Sequence, residues 1–261
     1  MTTLSYTVAD SATMLRRNLR HMRRYPSLTL MLVGLPIILL LLFVYVFGGT
    51  LGAGLGGVAG GRSAYANYVA PGIILLTLAA AAQGTAISVA VDMTEGIIAR
   101  FRTMAIARVS VLTGHVLGSL IQTMLSLVVV VAVAVGVGFR PTAGPLAWLA
   151  ATGVLAMTAF ALIWLAVALG LAAKSVETAS NTPMFLMLLP FLGSGFVPTH
   201  SMPLVLRWFA QYQPFTPVTE TVRHLLLGGP VGHDALIAAA WCAGTALLGY
   251  LWAKRLYARQ P

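Results

Sequence analysis

Charge is what this sequence has least of. Of its 261 residues only 8% are Asp, Glu, Lys or Arg, while 59% fall in the hydrophobic class. A soluble domain carries about 25% charged residues, so a chain this apolar has too little charge to cover a water-facing surface. A lipid-facing surface removes the problem, because acyl chains accept Leu, Val and Ala side chains. Cysteine is nearly missing too. Cys242 stands alone in an apolar run, which excludes an internal disulfide and a cysteine-based metal cluster and reads as a small apolar residue of a helix. The five histidines are scattered, with none spaced against another for metal binding. No G-x-x-x-x-G-K-[ST], H-E-x-x-H or G-x-S-x-G occurs. P-loop nucleotide binding, zincin hydrolysis and nucleophile-elbow chemistry therefore have no foothold in this chain. Carboxylates are scarce: Asp92, Glu95, Glu177, Glu220 and Asp234 all fall in loops or at the ends of apolar runs. Proton-coupled pumps usually keep an ionisable group inside the membrane, so the expected energy source shifts to a partner protein. The net charge of +10 does not point to nucleic acid, because the positive residues sit beside apolar runs and not on one soluble face.

What the chain does have is six charge-poor apolar stretches. A helical span needs roughly 20 apolar residues to cross a hydrocarbon core of about 30 Å, and each stretch holds one. The expected spans are about 28–47, 67–91, 109–137, 146–172, 181–197 and 235–253. Pro183, Pro190, Gly193 and Gly195 interrupt the fifth, where a broken or re-entrant helix is plausible on sequence grounds. With the N-terminus inside, the inner segments hold 12 Lys and Arg residues and the outer segments only Arg62, Arg140, Arg207 and Arg223. That bias places both termini in the cytoplasm. The first apolar run begins near residue 27 and reads as a retained span, not a cleaved signal. The fold class expected is an all-α polytopic membrane protein, a single transmembrane domain over residues 1–261.

Four segments between spans are candidates for function. Within residues 1–26, Val8, Ala12, Leu15, Leu19 and Met22 share one helix face, and Arg16, Arg17, Arg20, Arg23 and Arg24 gather away from it. Such a helix lies in the interface and favours anionic headgroups; it is either an anchor that sets topology or a lever touching a cytoplasmic partner. The inner loop 92–108 mixes charge with Ile97, Ile98, Phe101 and Met104, which are costly to leave in water. Its acidic residues come first and its basic ones last, suiting a short helix dipole. That pattern fits a helix presenting Phe101 and Met104 to a partner, or an ordinary interfacial loop. The outer segment 198–234 holds five prolines with Trp208, Phe209, Tyr212 and Phe215. Short helices dipping into the outer leaflet are expected there. Glu220 and Arg223 stand three apart, as a surface pair or as the seal of an outer gate. Finally, residues 52–57 formally match G-x-G-x-x-G, but they follow a membrane run and read as a flexible loop.

Three stretches carry a family resemblance. The first is Arg24-Tyr25-Pro26, then Pro36 and Val44-Tyr45-Val46-Phe47-Gly48-Gly49. The second is Glu95-Gly96-Ile97-Ile98-Ala99-Arg100-Phe101-Arg102-Thr103-Met104, followed by Ile106-Ala107-Arg108. The third is Phe196-Val197-Pro198, Met202-Pro203 and the run from Gln213-Pro214-Phe215-Thr216-Pro217 to Glu220 and Arg223. In this order they resemble the type 2 ABC exporter permeases, in particular the daunorubicin-resistance-like membrane subunits. Two departures stand out: Ala105 where such proteins often have proline, and His115 where arginine is common.

The resemblance implies a bacterial plasma-membrane permease that pairs with a second permease, identical or related, and with two cytoplasmic ABC ATPase subunits. Those subunits would bind the ATP and magnesium, with no cofactor in this chain. It implies a coupling helix seated in the ATPase, with Glu95, Gly96, Ile98, Arg100, Phe101, Arg102, Met104 and Ile106 at the contact, and residues 7–24 as a connecting helix. Amphipathic drugs, antibiotics or lipids are the implied substrates. Position alone suggests Phe43, Phe47, Phe185, Met187 and Phe191 for the substrate path, and Phe196, Pro198, Phe215, Glu220 and Arg223 for an outer gate. A proton-coupled secondary transporter, a lipid-modifying membrane enzyme and an exporter of envelope lipid or glycan remain the alternatives.

Overall fold

The computed structural model describes residues 26–50, 61–95 and 108–259, and within them every regular element is helical. The connecting helix 7–24 and the coupling residues Gly96, Ile98, Arg100, Phe101, Arg102, Met104 and Ile106 lie outside the described residues. Helix α1 (Pro26–Leu41) passes into a π-helical turn, Leu42–Phe47. The long helices are α2 (Gly61–Thr94), α3 (Arg108–Val137), α4 (Pro145–Ala172) and, at the end, α9 (Asp234–Arg259). Between α4 and α9 come the short helices α5 (Val176–Asn181), α6 (Met184–Leu188), α7 (Leu204–Tyr212) and α8 (Phe215–Leu227).

Among the described residues, five helices are long and apolar enough to cross a membrane. At 1.5 Å per residue, α2 is about 50 Å long and α4 about 42 Å, more than the ~30 Å hydrocarbon layer. Both therefore reach into the headgroup zones. Burial separates centre from periphery: 72% of the apolar window of α2 and of α4 is buried, against 17–28% in the other three. Helices α2 and α4 form the axis of the bundle. The outer helices turn Leu35, Ile38, Val128, Leu248 and Leu251 outwards, as a lipid-facing surface requires.

The predicted fifth span, 181–197, is not one continuous helix. Helix α5 stops at Asn181, α6 ends at Leu188, and only turns follow to Phe196. Prolines 183 and 190 remove amide donors there. The segment nevertheless runs alongside α2. Its Ser180 carbonyl accepts from Gln83 Nε2 of α2 at 2.7 Å, while Gly195 lies against Gly72, so it is antiparallel to α2. Contacts between α4 and α9 make that return necessary. Thr158 Oγ1 meets Cys242 Sγ at 3.4 Å, and Gly249 rests on the backbone of Trp164 and Leu165. Both numberings rise together, so α4 and α9 are parallel. The chain must therefore travel back between Ala172 and Asp234.

Small residues set these approaches. A Cβ on Gly72 would stand 2.5 Å from the Gly195 carbonyl oxygen, so only glycine lets the two backbones meet. Nearer the start of α2, Ser63 Oγ donates to Gly138 O at 3.2 Å and the Arg140 amide donates to Asn67 Oδ1 at 2.7 Å. These bonds tie the start of α2 to the α3–α4 connection.

Candidate functional site

Helices α7 and α8 form a hairpin that dips into the bundle and comes back. The Thr142 amide donates to Leu226 O at 3.0 Å, which fixes the end of α8 level with the α3–α4 connection. Phe215 at its start is 11 residues earlier, about 16 Å deeper. A chain reversal at that depth must satisfy its own backbone, since no water is at hand. Gln213 does so for both helices. Its amide donates to Phe209 O at 3.0 Å and closes α7, and its side-chain Oε1 accepts from the Phe215 amide at 3.0 Å and caps α8. Its Nε2 donates to Leu189 O, a carbonyl in the broken segment, at 3.2 Å and to Thr216 Oγ1 at 3.0 Å. Thr216 in turn donates to Ala210 O at 2.5 Å. Pro214 suits the reversal because the missing donor needs no partner. A Cβ on Gly193 would fall on Gln213 Nε2 and crowd Thr216 Oγ1, so a larger residue there would displace the atoms that make these hydrogen bonds.

Two turns up α8, Arg223 locks the hairpin to the rest of the bundle. Nη1 donates to Glu220 Oε1 at 2.6 Å. Nη2 donates to Ser194 O at 2.7 Å and to Tyr68 O at 3.2 Å, and the guanidinium carbon lies 4.2 Å from the Tyr68 ring centroid. The Tyr68 hydroxyl also donates to Ser194 O, at 3.0 Å. Arg223 is 9% exposed, so the Glu220–Arg223 pair is not the plain surface pair that spacing alone favours. It joins α2, the broken segment and α8 at one point. Tyr68, Ser194, Gln213 and Thr216 are the members that sequence reasoning did not single out for this role. The signal available was polar side chains within an apolar, proline-rich stretch.

The substrate-path and gate candidates divide in the structure. Phe43, from the π-turn of the first span, packs on Phe196 at 4.9 Å between centroids, on Phe47 at 5.8 Å and on Phe191 at 6.5 Å. Phe191 and Phe196 stack at 4.4 Å with their planes 10° apart. Three path candidates and one gate candidate thus form a single aromatic cluster between the π-turn and the broken segment. π-turns occur often at functional positions. Met187 is elsewhere, partly buried against the core. Phe185 is half-exposed at the rim of a separate cavity. Pro198 opens the turn Thr199–Ser201, its carbonyl accepting from Ser201 Oγ at 2.7 Å. Phe215 does not belong with the outer group: it is buried at the deep tip of the hairpin, in the wall of that same cavity.

At the opposite end of the bundle, Asp92 is not in a loop as expected but in the last turns of α2, buried. Its Oδ2 lies 3.0 Å from His115 Nε2 of α3. This contact ties together the two helices that flank the expected coupling loop. Glu95 is exposed just past α2, its amide donating to Val91 O at 2.9 Å. Ser175 caps α5, accepting from the Thr178 amide at 3.2 Å. A hydrogen bond from Ser175, with one from the Glu177 amide, holds the nearby Glu177 carboxyl below its usual range.

A bundle of lipid-length helices, a broken segment and a re-entrant hairpin define a polytopic α-helical membrane protein. Comparison with known proteins places it further. The family model for ABC-2 type transporters matches residues 11–227, and the chain belongs to that family. It is 27% identical over 251 residues to the daunorubicin resistance ABC transporter permease protein DrrB1 of Streptomyces coeruleorubidus, covering 96% of this chain and 86% of that one. It is 25% identical over 177 residues to the probable doxorubicin resistance ABC transporter permease protein DrrC of Mycobacterium tuberculosis, covering 65% of this chain and 63% of that one.

Proposed function

We propose that this chain is the permease subunit of an ATP-driven exporter that moves amphipathic drugs, antibiotics or lipids out of a bacterial cell. The supporting observation is the family match over residues 11–227, joined to likeness along nearly the whole chain to a permease of daunorubicin resistance. In this reading the chain crosses the plasma membrane six times, with the broken segment as the fifth crossing, and the Lys and Arg bias puts both termini in the cytoplasm. Two ABC ATPase subunits supply ATP and magnesium, and a second permease, identical or related, completes the pathway.

The stroke enters at the loop 92–108. Phe101 and its neighbours seat in the ATPase, and Asp92–His115 makes the ends of α2 and α3 move together. Because Arg223 and the Gly72–Gly195 contact bind the hairpin and the broken segment to α2, a tilt of α2 carries the outer elements with it. The Phe43–Phe191–Phe196 cluster then opens or closes the outer mouth. Apolar walls with few polar anchors favour broad selectivity. The test is Phe101→Asp in the assembled transporter. Drug export and co-purification of the ATPase should both be lost, and survival of both removes the coupling role. Export by the permease alone in vesicles under a proton gradient would overturn the ATP-driven reading.

A further inference from the structure

Under the tip of the α7–α8 hairpin lies an apolar cavity of about 190 Å³. It exists because the hairpin turns back at Pro214, whereas α4 and α9 continue past that level and leave space between them. Ala161, Leu165, Phe215, Val218 and Cys242 form its walls. Its mouth lies between Phe185 and Trp241, which are 50% and 42% exposed and stand on the outward faces of α6 and α9. Neighbouring residues on those faces, Met184, Leu188, Ile237 and Leu248, are exposed and apolar, so the mouth opens sideways towards the lipid and not towards either aqueous side.

We infer that this cavity is a lipid site that takes up one acyl chain of a bilayer phospholipid, entering laterally between Phe185 and Trp241. The wall chemistry selects for a chain without polar atoms. No charged residue lines the cavity; of its two hydroxyl residues, Thr158 and Thr245, Thr158 Oγ1 already donates to Val154 O at 2.8 Å and meets Cys242 Sγ. Size selects too: an apolar cavity of about 150 Å³ takes up benzene, whereas drug-sized ligands need roughly 300–1,000 Å³. A short length of alkyl chain fits, and a whole amphipathic drug does not. An unfilled space here would forfeit dispersion contacts, and the surrounding solvent is itself made of alkyl chains. The chain would serve as a strut beneath Phe215 and so support the hairpin that Gln213 and Arg223 hold from above. This site is separate from the aromatic cluster and does not depend on how transport is powered.

The test uses the full chain in phosphatidylethanolamine–phosphatidylglycerol nanodiscs doped with a phosphatidylcholine bearing a diazirine in one acyl chain. After photolysis the labelled residues are mapped by peptide mass spectrometry. Annular lipid labels Leu248 and Leu251 on the outer face in any case. A chain inside the cavity also labels Ala161, Val218 or Cys242, which are only 2%, 2% and 5% exposed. Ala161→Phe should abolish the wall labels and leave those on Leu248 and Leu251. If that variant fails to fold, Val218→Phe serves the same purpose. Labelling confined to the outer face in the wild type overturns the inference, whether the mouth is covered by a second permease or the cavity is empty. Displacement of the wall labels by excess daunorubicin also overturns it, by giving the cavity to the transported compound.

Discussion

Replacing Arg223 with methionine keeps much of the stem and removes the charge that joins three elements. Three charge-assisted hydrogen bonds disappear, to Glu220, Ser194 and Tyr68, along with the contact to the Tyr68 ring. Hydrogen bonds to charged groups are worth about 1.5–3 kcal/mol each, and a cation–π contact about 0.5–2 kcal/mol. These do not simply add, because one group makes them all. Removing one partner of a buried pair costs about 3–5 kcal/mol. Here the Glu220 side chain keeps 25% exposure, so water screens part of the orphaned charge and the lower end, about 3 kcal/mol, applies. For a protein of this size each kcal/mol moves the melting temperature by roughly 2–4 °C. Arg223→Met should therefore melt about 6–12 °C lower in detergent or nanodiscs and lose export. Adding Glu220→Gln should recover part of the loss, since no unpaired carboxylate is left. A single variant that melts within a degree or two of wild type, or a double variant worse than the sum, would refute the reasoning.

Three further outcomes follow from the same geometry. Gly72→Ala presses a methyl group onto the backbone of Gly195, which cannot rotate away. It should cost about 1–3 kcal/mol, whereas Gly153→Ala, with open space around it, should raise the melting temperature slightly. Gln213→Leu leaves the Phe215 amide and Leu189 carbonyl unpaired in a buried site, at about 1–3 kcal/mol per group. Hydrogen exchange at the Phe215 amide should rise well before global unfolding. Phe43→Leu keeps bulk and loses the ring contacts, worth about 0.5–1.5 kcal/mol. If the cluster controls the outer mouth, export should fall more than that small change in melting temperature explains.

Much of this molecule is legible along the chain because lipid imposes a one-dimensional rule. A backbone in hydrocarbon must bond to itself, so a charge-poor run of about 20 residues reads as a helix, interrupted where prolines and glycines cluster as in 181–197. Composition gives six apolar runs, of which five are long helices among the described residues, and the prolines mark the break near Pro183 and Pro190 and the short helices around Trp208 and Phe215. Spacing could also pair Glu220 with Arg223. Spacing could not say that the pair is buried, because that depends on Tyr68 and Ser194, 155 and 29 residues from Arg223. For the same reason position puts Phe43, Phe47 and Phe191 in one group with Phe185 and Met187, whereas the contacts leave those two out and bring in Phe196.

By itself, then, the order of residues determined that the chain is a helical membrane bundle and which family pattern it carries. Only the tertiary structure decided that α4 and α9 run parallel, that the hairpin stops halfway at Pro214, and that a cavity opens beneath it. Helix formation in lipid is settled by each segment's own apolarity and hydrogen bonding. The depth of a turn and the space under it are settled by which small residues let distant backbones touch, and those contacts have no fixed spacing in sequence.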